Sequence, residues 1–94
     1  MTYELRFRKE ALKEWRKLDG SVRAQFKKKL TAILDSPSIP AARLHGNRDR
    51  YKIKLRSAGY RLVYEVRNNE LVVVVIAIGK RERNDVYMKA DKRH

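Results

Sequence analysis

Lysine and arginine alternate with apolar residues in one short stretch of the chain, and this pattern suits chemistry on a polyanion. The stretch reads YKIKLR and runs from residue 51 to residue 56. Side chains alternate across a β-strand, so Lys52, Lys54 and Arg56 would share one face and their apolar neighbours the other. The next segment is typical of a partner strand and adds Arg61. The pattern predicts a row of cations on a rigid support, with RNA as a suitable partner.

Such a row could cleave RNA without a metal ion. The 2′-hydroxyl must lose a proton to attack the adjacent phosphorus, and the leaving 5′-oxygen must gain one. Clustered cations lower one another's pKa, so a lysine among them could accept the first proton. Arginines would hold the extra charge that develops on the phosphate, and an aromatic ring could stack on a base. Arg81 and Tyr87, in the segment that follows the last apolar run, complete the candidate set.

Each candidate also has an ordinary structural interpretation. Exposed lysines alternate along many sheet edges, and Arg61 could form a cross-strand ion pair with Glu65. Tyr87 could belong to the core. Lys27 and Lys28 are typical of a solvated helix face that attracts phosphate from a distance. From composition alone, a basic RNA-binding or ribosome-associated protein without catalysis is the main alternative.

Charge and missing residue types narrow the function classes. The 94 residues contain 24 Lys and Arg against 11 Asp and Glu, a formal charge of +13, which favours nucleic acid over an acidic protein as the partner. There is no cysteine, so thiolate metal sites are excluded, and the two histidines are His45 and His94, so we do not expect a paired-histidine nuclease site. The scattered acids do not indicate a two-metal centre. We therefore expect no metal and no cofactor. His45 could stack on a base or carry a proton, although a lone loop histidine often does neither.

Periodicity predicts a strand followed by two helices in the first half of the chain. Residues 3–8 alternate apolar with charged, and residues 9–18 carry apolar positions at helical spacing. Asp19 and Gly20 are expected to end the first helix, and Ser21 to cap the second. That second helix would bury Val22, Phe26, Leu30 and Ile33 and end before Pro37.

Three antiparallel strands are predicted in the second half, at 51–56, 60–66 and 71–78. Asn68-Asn69 suits a two-residue hairpin turn, and the unbroken apolar run after it predicts a central strand that Gly79 ends. The polar tail, 80–93, is expected to form a short helix. The fold class is therefore α+β: a single small domain over residues 1–94, in the order strand, helix, helix, three antiparallel strands, helix. The apolar run is too short to span a bilayer and no signal peptide is visible, so we expect a cytoplasmic protein away from membranes.

Four segments together resemble the RelE toxins. They read ALKEWRKL at 11–18, YKIKLR at 51–56, GYRLVY at 59–64 and GKRER at 79–83, with Val86 and Tyr87 following. The resemblance runs from Tyr3 to about Lys92. It implies the microbial-RNase-type toxin fold and a ribosome-dependent endonuclease that cuts the mRNA codon in the ribosomal A site. The family's catalytic positions correspond to Lys52, Lys54, Arg61, Arg81 and Tyr87.

The resemblance also implies partners and roles. A RelB-like antitoxin would wrap the toxin and mask or displace its C-terminal helix, in a hetero-oligomer that binds operator DNA through the antitoxin. Lys52 would be the general base and Lys54 would stabilise the phosphorane and protonate the leaving oxygen. Arg61 and Arg81 would bind the phosphate oxygens, and Arg81 would be an alternative proton donor. Tyr87 would stack on or orient the nucleotide.

Four further residues are candidate RNA contacts. His45 stands where close relatives of the family carry an arginine, and the others are Arg56, Lys27 and Lys28. A ParE-like toxin aimed at DNA gyrase is the alternative within the same architecture, and the intact Lys/Arg/Tyr set argues against it.

Overall fold

The chain folds as one strand, two helices and then three strands. The computed structural model describes residues 2–44, 49–80, 90 and 92. Its elements in chain order are β1 (Glu4–Phe7), α1 (Lys9–Arg16), α2 (Gly20–Ile33), a 3-10 turn (Pro40–Ala42), β2 (Arg50–Leu55), β3 (Tyr60–Arg67) and β4 (Val72–Lys80). The predicted α+β class and the predicted order of these elements are confirmed.

The four strands form one sheet in the order β1-β4-β3-β2. β2, β3 and β4 are antiparallel neighbours, while β1 pairs in parallel with β4, with Glu4 opposite Val72 and Phe7 opposite Val75. The prediction that β4 is a central strand is therefore confirmed. β2 is the edge strand of the described sheet, and near its start Arg43 forms an isolated bridge with Tyr51 while the Leu44 N–H donates to the Arg50 carbonyl at 2.9 Å.

The two faces of the sheet bury different cores. Both helices pack on one face, where Ala11, Phe26 and Leu30 are fully buried. On the other face a smaller cluster forms around Val63, Ile76 and neighbouring residues of β4, and Ala90 of the tail is buried in it. Burial on both faces explains why β4 is apolar at seven consecutive positions, residues 72–78.

Two of the predicted boundaries are wrong. α2 begins at Gly20 with Asp19 as its N-cap residue, and the Ser21 hydroxyl donates to the Asp19 carboxylate at 2.8 Å instead of capping the helix. Gly79 does not end β4, since it pairs with Arg61 and the strand continues to Lys80. Cross-strand pairing outweighs the weak strand preference of a single glycine here.

The turn between β3 and β4 also differs from the prediction. It spans four residues, 68–71, and the left-handed residue is Leu71, with φ 54°, instead of an asparagine. The Leu71 carbonyl accepts a hydrogen bond from the Glu4 N–H at 2.9 Å. Pairing with β1 thus holds Leu71 in a conformation that a branched side chain disfavours.

The tail is described only at Ala90 and Lys92, both helical. Most of the predicted C-terminal helix lies outside the described residues. In the part of the chain that the structure covers, no helix has the length and apolarity needed to cross a membrane.

Candidate active site

The β2–β3 hairpin positions the predicted lysines. Tyr51, Ile53 and Leu55 are buried under the helices, which turns Lys52 and Lys54 to the opposite face of the sheet. In the antiparallel register Lys54 lies opposite Arg61, and Lys52 lies opposite Val63. The predicted alternation is confirmed for Lys52 and Lys54 and is wrong for Arg56, because β2 ends at Leu55. Arg61 is brought beside the lysines by strand pairing.

The turn of this hairpin adds a third cation and shapes a cavity. Gly59, at φ 69°, closes the turn with a 2.9 Å hydrogen bond from its N–H to the Leu55 carbonyl. Arg56 therefore leaves the strand and lies in the turn. A cavity of about 290 Å³ opens there, lined by Lys54, Leu55, Arg56, Tyr60 and Arg61. No carboxylate is among these described lining residues, so every charged side chain that lines the cavity is a cation.

The clustered charges change the chemistry of Lys54. The nearby Lys52 cation is the main cause that lowers the pKa of Lys54, followed by partial desolvation and by the charges of Arg61 and Arg56. A hydrogen bond from Lys52 acts in the same direction. A lysine whose pKa is lowered gives up its proton more readily and can serve as a base. We call Lys52, Lys54 and Arg61 the lysine end of the β2–β3 face.

The other end of the same face contains an acid. Glu65 lies opposite Arg50 and accepts hydrogen bonds from Arg50 at 3.3 Å and from Arg67 at 2.9 Å. Burial pushes the pKa of Glu65 up, but the hydrogen bonds from both arginines outweigh burial and hold that pKa below its usual value. The carboxylate of Glu65 is thus engaged away from Arg61. We call Arg50, Glu65 and Arg67 the glutamate end.

The sequence analysis did not predict a role for Arg50. It is the only buried charged residue in the described part of the chain, 8% exposed, and its guanidinium also donates to the Ala90 carbonyl. Arg50 therefore connects β2 to the C-terminal tail. The signal was present in the sequence, because Arg50 continues the alternation of Lys52 and Lys54 by one step toward the N-terminus.

The remaining candidates divide into two groups. Arg81, Tyr87 and His45 lie outside the described residues. Lys27 and Lys28 are exposed on α2, as expected for a solvated helix face. Within the described residues no group of three or more His, Asp or Glu could hold a metal ion.

The chain matches known toxins over nearly its full length. Residues 5–85 match the family described as the ParE toxin of the type II toxin–antitoxin system parDE. The Escherichia coli K12 protein named mRNA interferase toxin RelE is 59% identical over 93 residues, which cover 99% of this chain and 98% of that protein. The expected resemblance to RelE toxins is confirmed.

Solved structures agree with this relationship. A double mutant of the E. coli toxin RelE in the free state superposes with a TM-score of 0.91 at 56% identity, covering 98% of this chain and 97% of that one. A chain of the intact E. coli RelBE toxin–antitoxin complex gives 0.82 at 59% identity, covering 86% of this chain and 99% of that one. This chain belongs to the RelE-like toxins, within the ParE toxin family of type II toxin–antitoxin systems.

Proposed function

We propose that the chain is the toxin of a type II toxin–antitoxin pair and an endoribonuclease that cuts mRNA in the ribosomal A site. The observation that carries the proposal is the lysine end, where cations from two strands surround a lysine with a lowered pKa. The name of the E. coli relative, mRNA interferase toxin, supports the same activity. Neither the ParE-like target nor a purely binding role accounts for that name.

The electrostatics favour a different division of labour between the two lysines from the one expected. Because the pKa of Lys54 is lowered, Lys54 is the better candidate to take the proton from the 2′-hydroxyl. Lys52, its main electrostatic neighbour, then stabilises the negative charge of the phosphorane. The nucleophilic oxygen forms a bond to phosphorus while the bond from phosphorus to the 5′-oxygen breaks.

The arginines and the tyrosine complete the reaction in this proposal. Arg61, opposite Lys54, clamps the phosphate oxygens. Arg81 supplies the proton to the leaving 5′-oxygen, and Tyr87 stacks on or orients the nucleotide. The products are a 2′,3′-cyclic phosphate and a 5′-hydroxyl. No metal or cofactor takes part in these steps, because lysine and arginine side chains supply the base, the acid and the charge.

The proposal also includes the surroundings of the enzyme. The ribosome presents the mRNA to the toxin in the cytoplasm. Arg56, which lines the cavity, contacts the RNA, and so does His45. Lys27 and Lys28 add long-range attraction for phosphate. A RelB-like antitoxin binds and inhibits the toxin, as the RelBE complex of the E. coli relative suggests. The toxin–antitoxin complex binds operator DNA through the antitoxin.

Mapping mRNA 5′ ends in a translation mixture tests the activity. With the protein present, new ends should appear within A-site codons, only when ribosomes are present and equally with or without EDTA. Loss of cleavage with EDTA would contradict the metal-free mechanism, and cleavage of naked RNA at the same rate would contradict ribosome dependence. DNA damage with uninterrupted translation after induction would favour the ParE-like alternative.

A further inference from the structure

We propose that a second groove, between α2 and the edge strand β2, binds a phosphate of the RNA strand next to the one that is cut. The groove consists of two adjoining cavities that share Lys29 and Lys54 among their lining residues. We call it the α2–β2 groove. The inference rests on the proposed ribonuclease function. It adds Lys29 as a substrate-binding residue.

Helical spacing turns Lys29 toward the open edge of the sheet. Gln25, Lys29 and Ile33 follow one another at intervals of four residues and so share a flank of α2. α2 packs against β2, which places this flank beside the lysines of the edge strand. Lys27 lies two positions before Lys29 and points from a different side of the helix.

Two adjoining cavities make the groove continuous. One, of about 410 Å³, is lined by Gln25, Lys29, Lys54, Leu55, Arg56 and Ser57. The other, of about 330 Å³, is lined by Lys29, Ala32, Ile33, Lys52, Ile53 and Lys54. Lys29 and Lys54 belong to both, so a ligand can extend from one cavity into the other.

The lining chemistry matches a sugar–phosphate backbone. Lysines, an arginine, an amide and a hydroxyl offer hydrogen-bond donors to phosphate oxygens, while Ala32 and Ile33 offer an apolar surface to a ribose or base. No carboxylate is among the described lining residues of either cavity. Every charged side chain among these lining residues is therefore a cation, which favours an anionic ligand.

Continuity with the candidate active site favours RNA over an acidic protein segment. Lys54 and Arg56 line both the α2–β2 groove and the cavity that contains Arg61. Whatever fills the groove thus lies next to the phosphate held at Lys54. A nucleotide flanking the cut satisfies this placement without a second molecule.

Lys29→Ala tests the groove, and Lys13→Ala is the matched control, since Lys13 is an exposed lysine of α1 that lines neither cavity. Both changes remove one exposed lysine, so both lower the net charge equally. We expect Lys29→Ala to raise the half-saturating substrate concentration about fivefold, while the rate at saturation stays within about twofold. Lys13→Ala should change the half-saturating concentration by less than about twofold. Lys29→Arg should retain most of the binding.

Direct titration of a short fluorescent single-stranded RNA, with 2′-O-methyl groups that block cleavage, separates the inference from the proposed function. The salt dependence of binding should fall by about 0.7 in log–log slope for Lys29→Ala, as expected when one phosphate contact is lost. If wild-type protein cleaves but the Lys29→Ala and Lys13→Ala variants behave alike in both assays, the groove is refuted and the ribonuclease function stands. If wild-type protein cleaves nothing yet Lys29→Ala alone weakens RNA binding, the ribonuclease function fails and the groove stands. Unchanged RNA binding with weakened antitoxin binding would assign the groove to the antitoxin and overturn the proposal.

Discussion

The two ends of the β2–β3 face have the same strand geometry but different electrostatics. At the glutamate end the Glu65 carboxylate forms ion pairs with Arg50 and Arg67, and the buried Arg50 reaches the tail. At the lysine end the charges of Lys52 and Arg61 lie beside Lys54 and lower its pKa. The acid therefore distinguishes the ion-paired glutamate end from the lysine end. Like charges held close together cost stability, so their proximity at the lysine end supports the proposed function.

The largest effect should follow from changing the lysine end itself. Lys54→Ala should lower the rate of mRNA cleavage at saturation by at least about a hundredfold, because the base is removed, while RNA binding falls only a few-fold. Single-turnover cleavage and RNA titration measure the two quantities. Lys54→Arg keeps the charge but cannot lose its proton near neutral pH, so it should be equally slow. Activity in Lys54→Arg close to the wild-type rate would show that Lys54 acts only as a cation.

At the glutamate end, removing the acid should destabilise the protein. Glu65→Gln leaves the buried Arg50 without its carboxylate, which should lower the free energy of unfolding by about 2 kcal/mol and the Tm by about 10 °C. Thermal unfolding measures this loss. Glu70→Gln is the control, since Glu70 is exposed and lies 3.9 Å from Arg67, and its effect should be below about 0.5 kcal/mol. Equal losses in both variants would refute the special role of the glutamate end.

Low pH should remove the stabilisation that the Glu65 carboxylate gives to the glutamate end. The pKa of Glu65 is lowered in the folded state from its ordinary value of 4.5, so the stabilisation by its carboxylate is present above that value and is lost as the pH falls through the folded-state pKa. Urea unfolding at pH 7 and at successively lower pH measures the free energy of unfolding of both proteins. The value for the wild-type protein should approach that of Glu65→Gln as the pH falls. A stability difference that stays constant below pH 4.5 would show that Glu65 does not act through its charge.

The smallest predicted effect is a gain in thermal stability, when the charge of Lys54 is removed. The pKa of Lys54 is lowered from 10.5, so the folded state binds this proton less tightly than the unfolded state, and stability rises with pH until 10.5 is passed. Lys54→Gln should therefore raise the Tm slightly at pH 7, and the gain should disappear above pH 10.5. Thermal unfolding at both pH values checks this. A lower Tm for Lys54→Gln at pH 7 would mean that the lysine end stabilises the fold.

Local patterns predicted the lysine end well because strand periodicity acts over a few residues. The alternation around Lys52 and Lys54 determines their face, and the short hairpin brings Arg61 opposite Lys54. The same hairpin register places Arg50 opposite Glu65, and the sequence analysis did not follow the register that far. The contact from Arg50 to Ala90 could not be read in this way, since it joins residues 40 positions apart and depends on tertiary packing.

The boundary errors have the same origin. Gly79 continues β4 because it is paired with Arg61, and Leu71 takes a positive φ because its carbonyl pairs with Glu4. Lys29 was assigned, with Lys27 and Lys28, to a solvated helix face for a simpler reason. Its spacing from Gln25 and Ile33 was visible in the sequence, but the flank they share acquires meaning only once α2 is packed beside β2.

The parallel pairing of β1 with β4 has a consequence for synthesis. β1 is synthesised first, yet its partner strand spans Val72–Lys80 and follows both helices and the other two strands in the chain. The growing polypeptide therefore cannot complete its sheet until β4 has been synthesised. Because β4 lies between β1 and β3, the hairpin that carries the lysine end stays separate from β1 until that moment.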